Sequence, residues 1–304
     1  MEQNFNLLQE RVLDTLEKSD LLAIKQQLKN IKGNTVLVGA GGSSVVSTFA
    51  SKVLGISNVK SSRDLNYMNL DNIDNIIIFS YSGKGYVIEN ILDKNKKIYL
   101  FTNGDKLYDN VETIKYNSTI KKENSFISLA STLMPMAILY HYYHPLRLPH
   151  FESILSKMFD KAKNINIHHN NVYEILTGYD SITASKYLET TMTESGIAIP
   201  IVHDKYDYCH GRSTLSYKSN NGLILFDSGK ELDGLLFHDL KEYYTEIVKI
   251  DKYYPNDCIV DNDFYATICS MYLTKKLAEN KGMDLSKVDY SPIVKKLYKY
   301  KGEM

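Results

Sequence analysis

The sequence predicts an α/β chain built of two tandem, doubly wound parallel-sheet domains related by pseudo-duplication. Three observations predict it. Val36-Leu37-Val38, Ile76-Ile77-Ile78-Phe79 and Ile98-Tyr99-Leu100-Phe101 are apolar at every position, as in parallel strands covered on both faces. Each is followed by a turn and then by a segment of helical character. The order then begins again after His144-Pro145-Leu146-Arg147-Leu148-Pro149, a segment holding two of the six prolines. A chain of 304 residues suits two domains of about 150, so residues 1–147 and 148–304 are expected to be the two units.

Taken in order, Phe5, Leu8, Val12 and Leu16 fall at helical spacing, and Leu21, Leu22, Ile24 and Leu28 continue it until Gly33-Asn34. A strand over Thr35–Gly39 leads through a Gly-rich turn to a helix from Ser43 to about Leu54. A strand over Asn75–Ser80, a turn at Tyr81–Gly85 and a helix to Leu92 come next. Ile98–Thr102 is a third strand and Val111–Tyr116 a fourth, and Ser125–Tyr143 reads as a long helix. In the second half, helices are expected at 151–163, 181–195, 231–240 and 263–279. Strands are expected at 172–177, 197–203, 222–227 and 245–250.

Composition removes several function classes. Thirty-six Lys+Arg balance 36 Asp+Glu, so there is no clustered basic excess for nucleic acid or an anionic membrane. Hydrophobic residues at 43% suffice for two cores, and no apolar run approaches the roughly 20 residues of a membrane span. The opening Met1-Glu2-Gln3-Asn4-Phe5 lacks a signal-like apolar core. Cys209, Cys258 and Cys269 fit neither a disulfide framework nor a C-x-x-C metal site. The histidines show no metal-ligand spacing with acids or cysteines. A reduced, cytoplasmic protein without metal or cofactor is the expectation.

Two turns carry chemistry. Gly39-Ala40-Gly41-Gly42-Ser43-Ser44 lies between a strand and a helix, where glycines allow close backbone approach and the helix end offers N–H groups to an anion. It fails the dinucleotide fingerprint, because the third Gly falls at Ser44, and it lacks the Gly-Lys-Ser/Thr of a nucleotide P-loop. A dehydrogenase would also need Asp64 at the ribose, after a segment with little strand character. Ser80-Tyr81-Ser82-Gly83-Lys84-Gly85 follows the next strand. It brings two further hydroxyls to the carboxyl edge of a parallel sheet, where such sheets hold ligands.

This pair of turns resembles the sugar isomerase (SIS) family of phosphosugar-binding domains, most of all its tandem two-domain isomerases and ketoamine-6-phosphate deglycases. The resemblance covers residues 30–300 and implies a flavodoxin-type fold. It also implies a phosphate site formed by Gly41, Gly42, Ser43, Ser80, Ser82, Gly83 and Ser128, the last in Glu123-Asn124-Ser125-Phe126-Ile127-Ser128. Gly85 replaces a phosphate-binding Thr of the family pattern, with Lys84 beside it as a possible substitute charge. In the second half the resemblance makes Glu194 the base moving a proton between C1 and C2. It makes His210, in a His-Gly turn sixteen residues later, the group assisting ring opening. A carboxylate and an imidazole suit those tasks chemically. Departures are Thr191, where the family helix often has Lys, and Arg212, where one branch has Pro. Lys295 or Lys296 matches a C-terminal Lys near the open-chain sugar. Gly178-Tyr179-Asp180-Ser181 and Asp227-Ser228-Gly229-Lys230 replace the two hydroxyl-rich turns, so the second half is expected to have lost its own phosphate site. The expectation is therefore an isomerase or deglycase working through an enediol or enolamine, as a homodimer or larger homo-oligomer. The alternative is a non-catalytic phosphosugar sensor.

Overall fold

The computed structural model describes residues 1–287 except Arg63, Gly85, 93–94, Lys122, Lys218 and 254–257. Gly85, Lys295 and Lys296 thus lie outside the described residues.

The first half runs α1 (Glu2–Asn6), α2 (Leu8–Lys18), α3 (Leu21–Asn30), β1 (Thr35–Gly39), α4 (Gly42–Leu54), β2 (Val59–Ser61), β3 (Asn75–Phe79), α5 (Tyr86–Leu92), β4 (Lys97–Thr102), β5 (Val111–Lys115) and α6 (Ala130–Tyr143). The second runs α7 (Leu148–Lys163), β6 (Val172–Thr177), α8 (Ile182–Ser195), β7 (Ile199–Asp204), α9 (Lys205–Asp207), α10 (Ser213–Ser216), β8 (Gly222–Phe226), α11 (Glu231–Asp239), β9 (Glu246–Ile250) and α12 (Ile259–Asn280). The sheets are ordered β2-β1-β3-β4-β5 and β7-β6-β8-β9, and every pairing is parallel. The same order in both halves, short of one edge strand in the second, is the internal duplication.

The fully apolar strands are explained by which face each residue takes. Along β1 and β3, Leu37 and Ile77 enter a large cluster with Phe49, Leu133, Tyr187, Ile224 and Phe264, which joins both halves. Their neighbours Val36, Val38, Ile76 and Ile78 point the other way, into a cluster with Ile88 and Ile91 of α5. In the second half Leu176, Leu223 and Leu225 do the same against Leu236 of α11. Alternation thus persists, but both faces are dry.

The element boundaries depart from the sequence reading where polar side chains intervene. The expected run from Phe5 to Leu28 breaks into three helices. Ser19 leaves the helix, and Asp20 caps α3 by accepting the Ala23 N–H at 2.9 Å. The long helix begins at Ala130, not Ser125, because the buried Glu123 carboxylate takes the N–H groups of Leu129 and Ser131 at 3.1 and 3.0 Å. Leu148-Pro149 opens α7 instead of serving only as linker, with proline in the first turn, where no N–H is needed. The edge strand β2, half-buried, carried too little apolar signal to be anticipated.

One buried ion pair joins the halves. Lys52 of α4 meets Asp263 of α12 with both side chains out of solvent, 2% and 0% exposed. The other Asp263 oxygen accepts the Thr183 and Ala184 N–H groups at 3.1 and 3.3 Å, capping the start of α8. Burial pushes the Asp263 carboxyl up despite Lys52, and pushes Lys52 down despite Asp263. Both charges are therefore dehydrated and depend on each other. Lys52→Met should destabilise the protein by about 3–5 kcal/mol, as when one partner of a buried pair is removed. Urea unfolding would measure it, and a loss below about 1 kcal/mol would show that Asp263 is held without the lysine.

Candidate functional site

The Gly-rich turn is held in a shape that side chains would not permit. A Cβ on Gly39 would sit 2.2 Å from the Ser43 carbonyl oxygen, so β1 and the first turn of α4 are in backbone contact. Gly41 has φ of 53°, in the region open to glycine. A Cβ on Gly42 would lie 2.7 Å from Ser128 Oγ and from Thr132 Oγ1. Ser128 therefore sits against the turn.

The Ser80 turn is pinned to the neighbouring strand end. The Ser80 N–H donates to the Phe101 carbonyl at 3.1 Å, Thr102 Oγ1 donates to the Tyr81 carbonyl at 3.2 Å, and Tyr108 donates to the Gly83 carbonyl at 3.0 Å. Gly83 is buried with φ of 60°. The hydroxyls of Ser43, Ser80 and Ser128 are half-buried and engage no described partner, while the exposed Ser82 Oγ accepts only the Lys84 N–H at 3.3 Å. Lys84 itself is exposed. Both turns lie at the carboxyl ends of adjacent strands β1 and β3, where the strand order changes direction.

Glu194 reaches this place from the other half. Its Oε1 lies 3.9 Å from the position of a Cβ on Gly41. Glu194 is exposed, yet enough protein surrounds its carboxylate that partial desolvation raises its pKa. Tyr187, two helical turns earlier on α8, is buried with an unpartnered hydroxyl and feels the charges of both Glu123 and Glu194. Glu123 Oε2 and Thr132 Oγ1 are likewise buried without partners. Sequence reasoning gave these three no role. The i, i+7 spacing of Tyr187 and Glu194 was the available signal, since it puts both on one helix face. Thr191 cannot stand in for a site lysine, because it is buried and donates to the Tyr187 carbonyl at 2.8 Å.

His210 is not brought to Glu194. Strands β6 and β7 are parallel neighbours, so α8 between them runs back against them and ends at the amino edge of the second sheet. His210 lies past the carboxyl end of β7, in an exposed π-type turn where Gly211 has φ of 115°. The 14 residues of α8 separate the two edges by about 20 Å within one chain. Arg212 shares the His210 edge and pairs with Asp207 at 3.4 Å.

A cleft of about 480 Å³ is present away from the Gly41 turn. It lies at the carboxyl edge of the second sheet, lined by Asp180, Lys205, Ser228, Asp233 and Asn262. For metal binding, folding brings together His144, Cys258 and Asp261, with ligand atoms within 4.8 Å of one another. The sequence spacing gave no hint of this group. His144 Nε2 and the Tyr140 hydroxyl already share Asp261 Oδ1 at 2.7 and 2.8 Å, which accounts for the arrangement without an ion.

No protein-family model matches the chain, and no curated protein matches it in sequence. Solved structures do match over nearly its whole length. Tagatose-6-phosphate ketose/aldose isomerase from Escherichia coli is 14% identical with a TM-score of 0.73, covering 96% of each chain. Glucosamine-6-phosphate deaminase from Thermotoga maritima is 15% identical with a TM-score of 0.68, covering 91% of this chain and 96% of its own. The C-terminal domain of glucosamine-fructose-6-phosphate aminotransferase from Francisella tularensis is 12% identical with a TM-score of 0.66, covering 93% and 96%. The chain therefore has the tandem SIS fold that its two turns implied. No helix among the described residues is long and apolar enough to cross a membrane.

The raised pKa of Glu194 has a measurable consequence for the fold. A carboxyl whose folded pKa exceeds its unfolded value costs stability once ionised. The cost is absent below the unfolded pKa and complete above the raised folded one. Glu194→Gln should therefore be more stable than the parent at neutral pH, the difference vanishing as pH falls below the usual carboxylate range. Denaturant midpoints across pH would show it, and a Gln variant less stable at pH 7 would contradict it.

Proposed function

We propose that this protein is an enzyme that moves a proton between C1 and C2 of a phosphorylated sugar or ketoamine. The observation that carries the reading is the meeting of Glu194, its pKa raised by partial desolvation, with the Gly41-Gly42 turn and the unengaged hydroxyls of Ser43, Ser80 and Ser128. Gly41, Gly42 and Gly83 shape the cradle, and the hydroxyls of Ser43, Ser80, Ser82 and Ser128 with nearby N–H groups hold the phosphate. Binding energy from the remote phosphate then positions the reacting carbons. Glu194 takes the C–H proton from one carbon, leaving an enediol or enolamine, and returns it to the other. With a ketoamine, the product of that shift is an imine at C1, which water hydrolyses to an aldose phosphate and a free amine. A carboxylate whose pKa is raised by its surroundings is a stronger base for both steps than an ordinary one.

The structural neighbours include a sugar-phosphate isomerase, a sugar-phosphate deaminase and a sugar-phosphate aminotransferase domain, which supports sugar phosphate as the substrate class. His210, which lies past the opposite edge of its sheet from Glu194, is assigned to the site of a second copy, so the active form is a homodimer or larger assembly. Arg212 and Lys84 are assigned supporting charges at the site rims. The second reading, a phosphosugar sensor, draws on buried Thr191 in the place of the family's lysine.

Glucose 6-phosphate or fructose 6-phosphate should raise the melting temperature, while glucose and fructose should not. A ligand at 100 times its Kd adds about 2.7 kcal/mol. Ser82→Ala should weaken binding by about 1.5–3 kcal/mol, the worth of a hydrogen bond to a charged group. Equal shifts from glucose and its phosphate would dismiss the phosphate cradle.

Glu194→Gln should lower turnover by about 10²–10⁴-fold and stop solvent deuterium entering C1 or C2, with phosphosugar affinity kept within a few-fold. Glu194→Gln and His210→Ala, each inactive alone, should recover part of the activity when unfolded together and refolded as mixed assemblies. No recovery would return His210 to some other role. A wild type that binds sugar phosphates without turnover or exchange would make the sensor reading the better one.

A further inference from the structure

One acid stands in the dry interior of the second sheet. Glu174 lies within β6, which has neighbours on both sides, and it is 0% exposed. A carboxylate so placed is costly unless its oxygens are met by donors. Ser216 Oγ donates to Oε2 at 2.5 Å, and the Tyr244 hydroxyl donates to the same oxygen at 2.9 Å. Asn221 Nδ2 donates to Oε1 at 2.9 Å, with Ser219 Oγ at 3.5 Å. The Tyr244 proton is committed to Glu174. In the 2.9 Å contact between the two tyrosine hydroxyls it is therefore Tyr208 that donates to Tyr244.

Tyr208, Ser216, Ser219 and Asn221 all belong to one stretch, the excursion between β7 and β8 that carries the His210 turn. Tyr208 opens the turn, and Ser216 ends the short α10 that follows it. Both are buried, whereas Cys209, His210, Gly211 and Arg212 between them are exposed. One carboxylate thus ties down both feet of the excursion, through Tyr244 at the first and directly at the second. The ion pair on the turn itself, Arg212 with Asp207 at 3.4 Å, is exposed, and such pairs hold little. His203 of β7 sits in the same polar core. Its Nε2 is 3.5 Å from Glu174 Oε2, its ring is 5.6 Å from that of Tyr208, and neither ring nitrogen makes a hydrogen bond. The charged groups facing it are Glu174 from β6 and Arg212 from the turn. Desolvation, with Arg212 and against the pull of Glu174, lowers its pKa. The other titratable groups there, Tyr208 and Tyr244, are pushed further above the ordinary tyrosine value by burial.

We propose that Glu174 is the positioning residue of the His210 turn, fixing both feet of the excursion so that His210 is presented in one geometry, and that His203 weakens this hold in acid. The catalytic meaning of the hold rests on the reading above, in which His210 serves the site of a second copy. An opened excursion lets His203 regain water, so the opened form binds its proton more readily than the closed one. The hold is therefore complete above the ordinary histidine value of about 6.5. It declines as pH falls from there through the lowered folded value.

Amide hydrogen exchange on the full chain, read by mass spectrometry, measures the hold without reference to activity. Glu174→Gln should speed exchange over residues 208–216 by about ten- to a hundredfold, the worth of a hydrogen bond to a charged group. Amides of β6 and β8 should stay within a few-fold. Tyr208→Phe removes one hydroxyl at the first foot and spares the carboxylate, so it should speed the same amides by a few-fold even where the Gln variant does not fold. In the parent, exchange over 208–216 relative to the intrinsic rate should rise by up to about tenfold per pH unit below the ordinary histidine value. His203→Asn should remove that dependence. With sugar phosphate, Glu174→Gln and Tyr208→Phe should lower kcat and leave KM within a few-fold, since the phosphate is held by the other half. Unchanged exchange in both variants, exchange raised equally in β6 and β8, or the same pH dependence with and without His203 would overturn the proposal. Full activity in His210→Ala would instead remove His210 from the reaction, and the exchange data would still decide whether Glu174 holds the turn.

Discussion

Asp263 stands where three parts of the molecule must agree. Its carboxylate faces the α4 lysine on one side and the first N–H groups of α8 on the other, with both charged side chains out of solvent. Helix α8 is thereby set against α4, whose first turn is the Gly-rich loop. The far end of α8 then carries Glu194 to Gly41. A rigid helix held at its buried end delivers a carboxylate across the boundary between halves, which is more accurate than a loop could achieve.

The duplication supplies the other organising fact. Both halves use the same strand order, so both form a crevice at the same topological position. In the first half glycines and serines leave that crevice lined with unengaged hydroxyls. In the second, aspartates at 227, 233 and 263 satisfy the equivalent donors from within. The same strand order therefore yields one edge lined with unengaged hydroxyls and one whose N–H groups are already met by the chain's own carboxylates.

Much of the fold was legible because dry parallel strands leave an unambiguous apolar signature, and the restart after Pro149 repeated it. Boundaries were less legible wherever one long-range polar contact decided them. Glu123 shortens α6 from a position outside it, and Asp20 divides what apolar spacing alone made continuous. The Gly41 and Ser80 turns could be located because glycine and serine have few other reasons to recur at strand ends. Glu194 was singled out through resemblance alone, since a lone acid at a helix end carries no local mark.

The sequence by itself determined the α/β class, the duplication, and the serines and glycines of the first crevice, because these depend on local pattern and backbone freedom. Only the tertiary structure decided that Glu194 faces that crevice while His210 stands at the opposite edge of its own sheet. Sixteen residues of spacing place two side chains equally well together or apart, and it is the antiparallel return of α8 between β6 and β7 that puts them apart. The approach of Tyr187 to Glu123, and the filling of the second crevice by Asp233 and Asp263, were likewise decided by folding. Their partners lie tens to hundreds of residues away, and no local periodicity encodes such contacts.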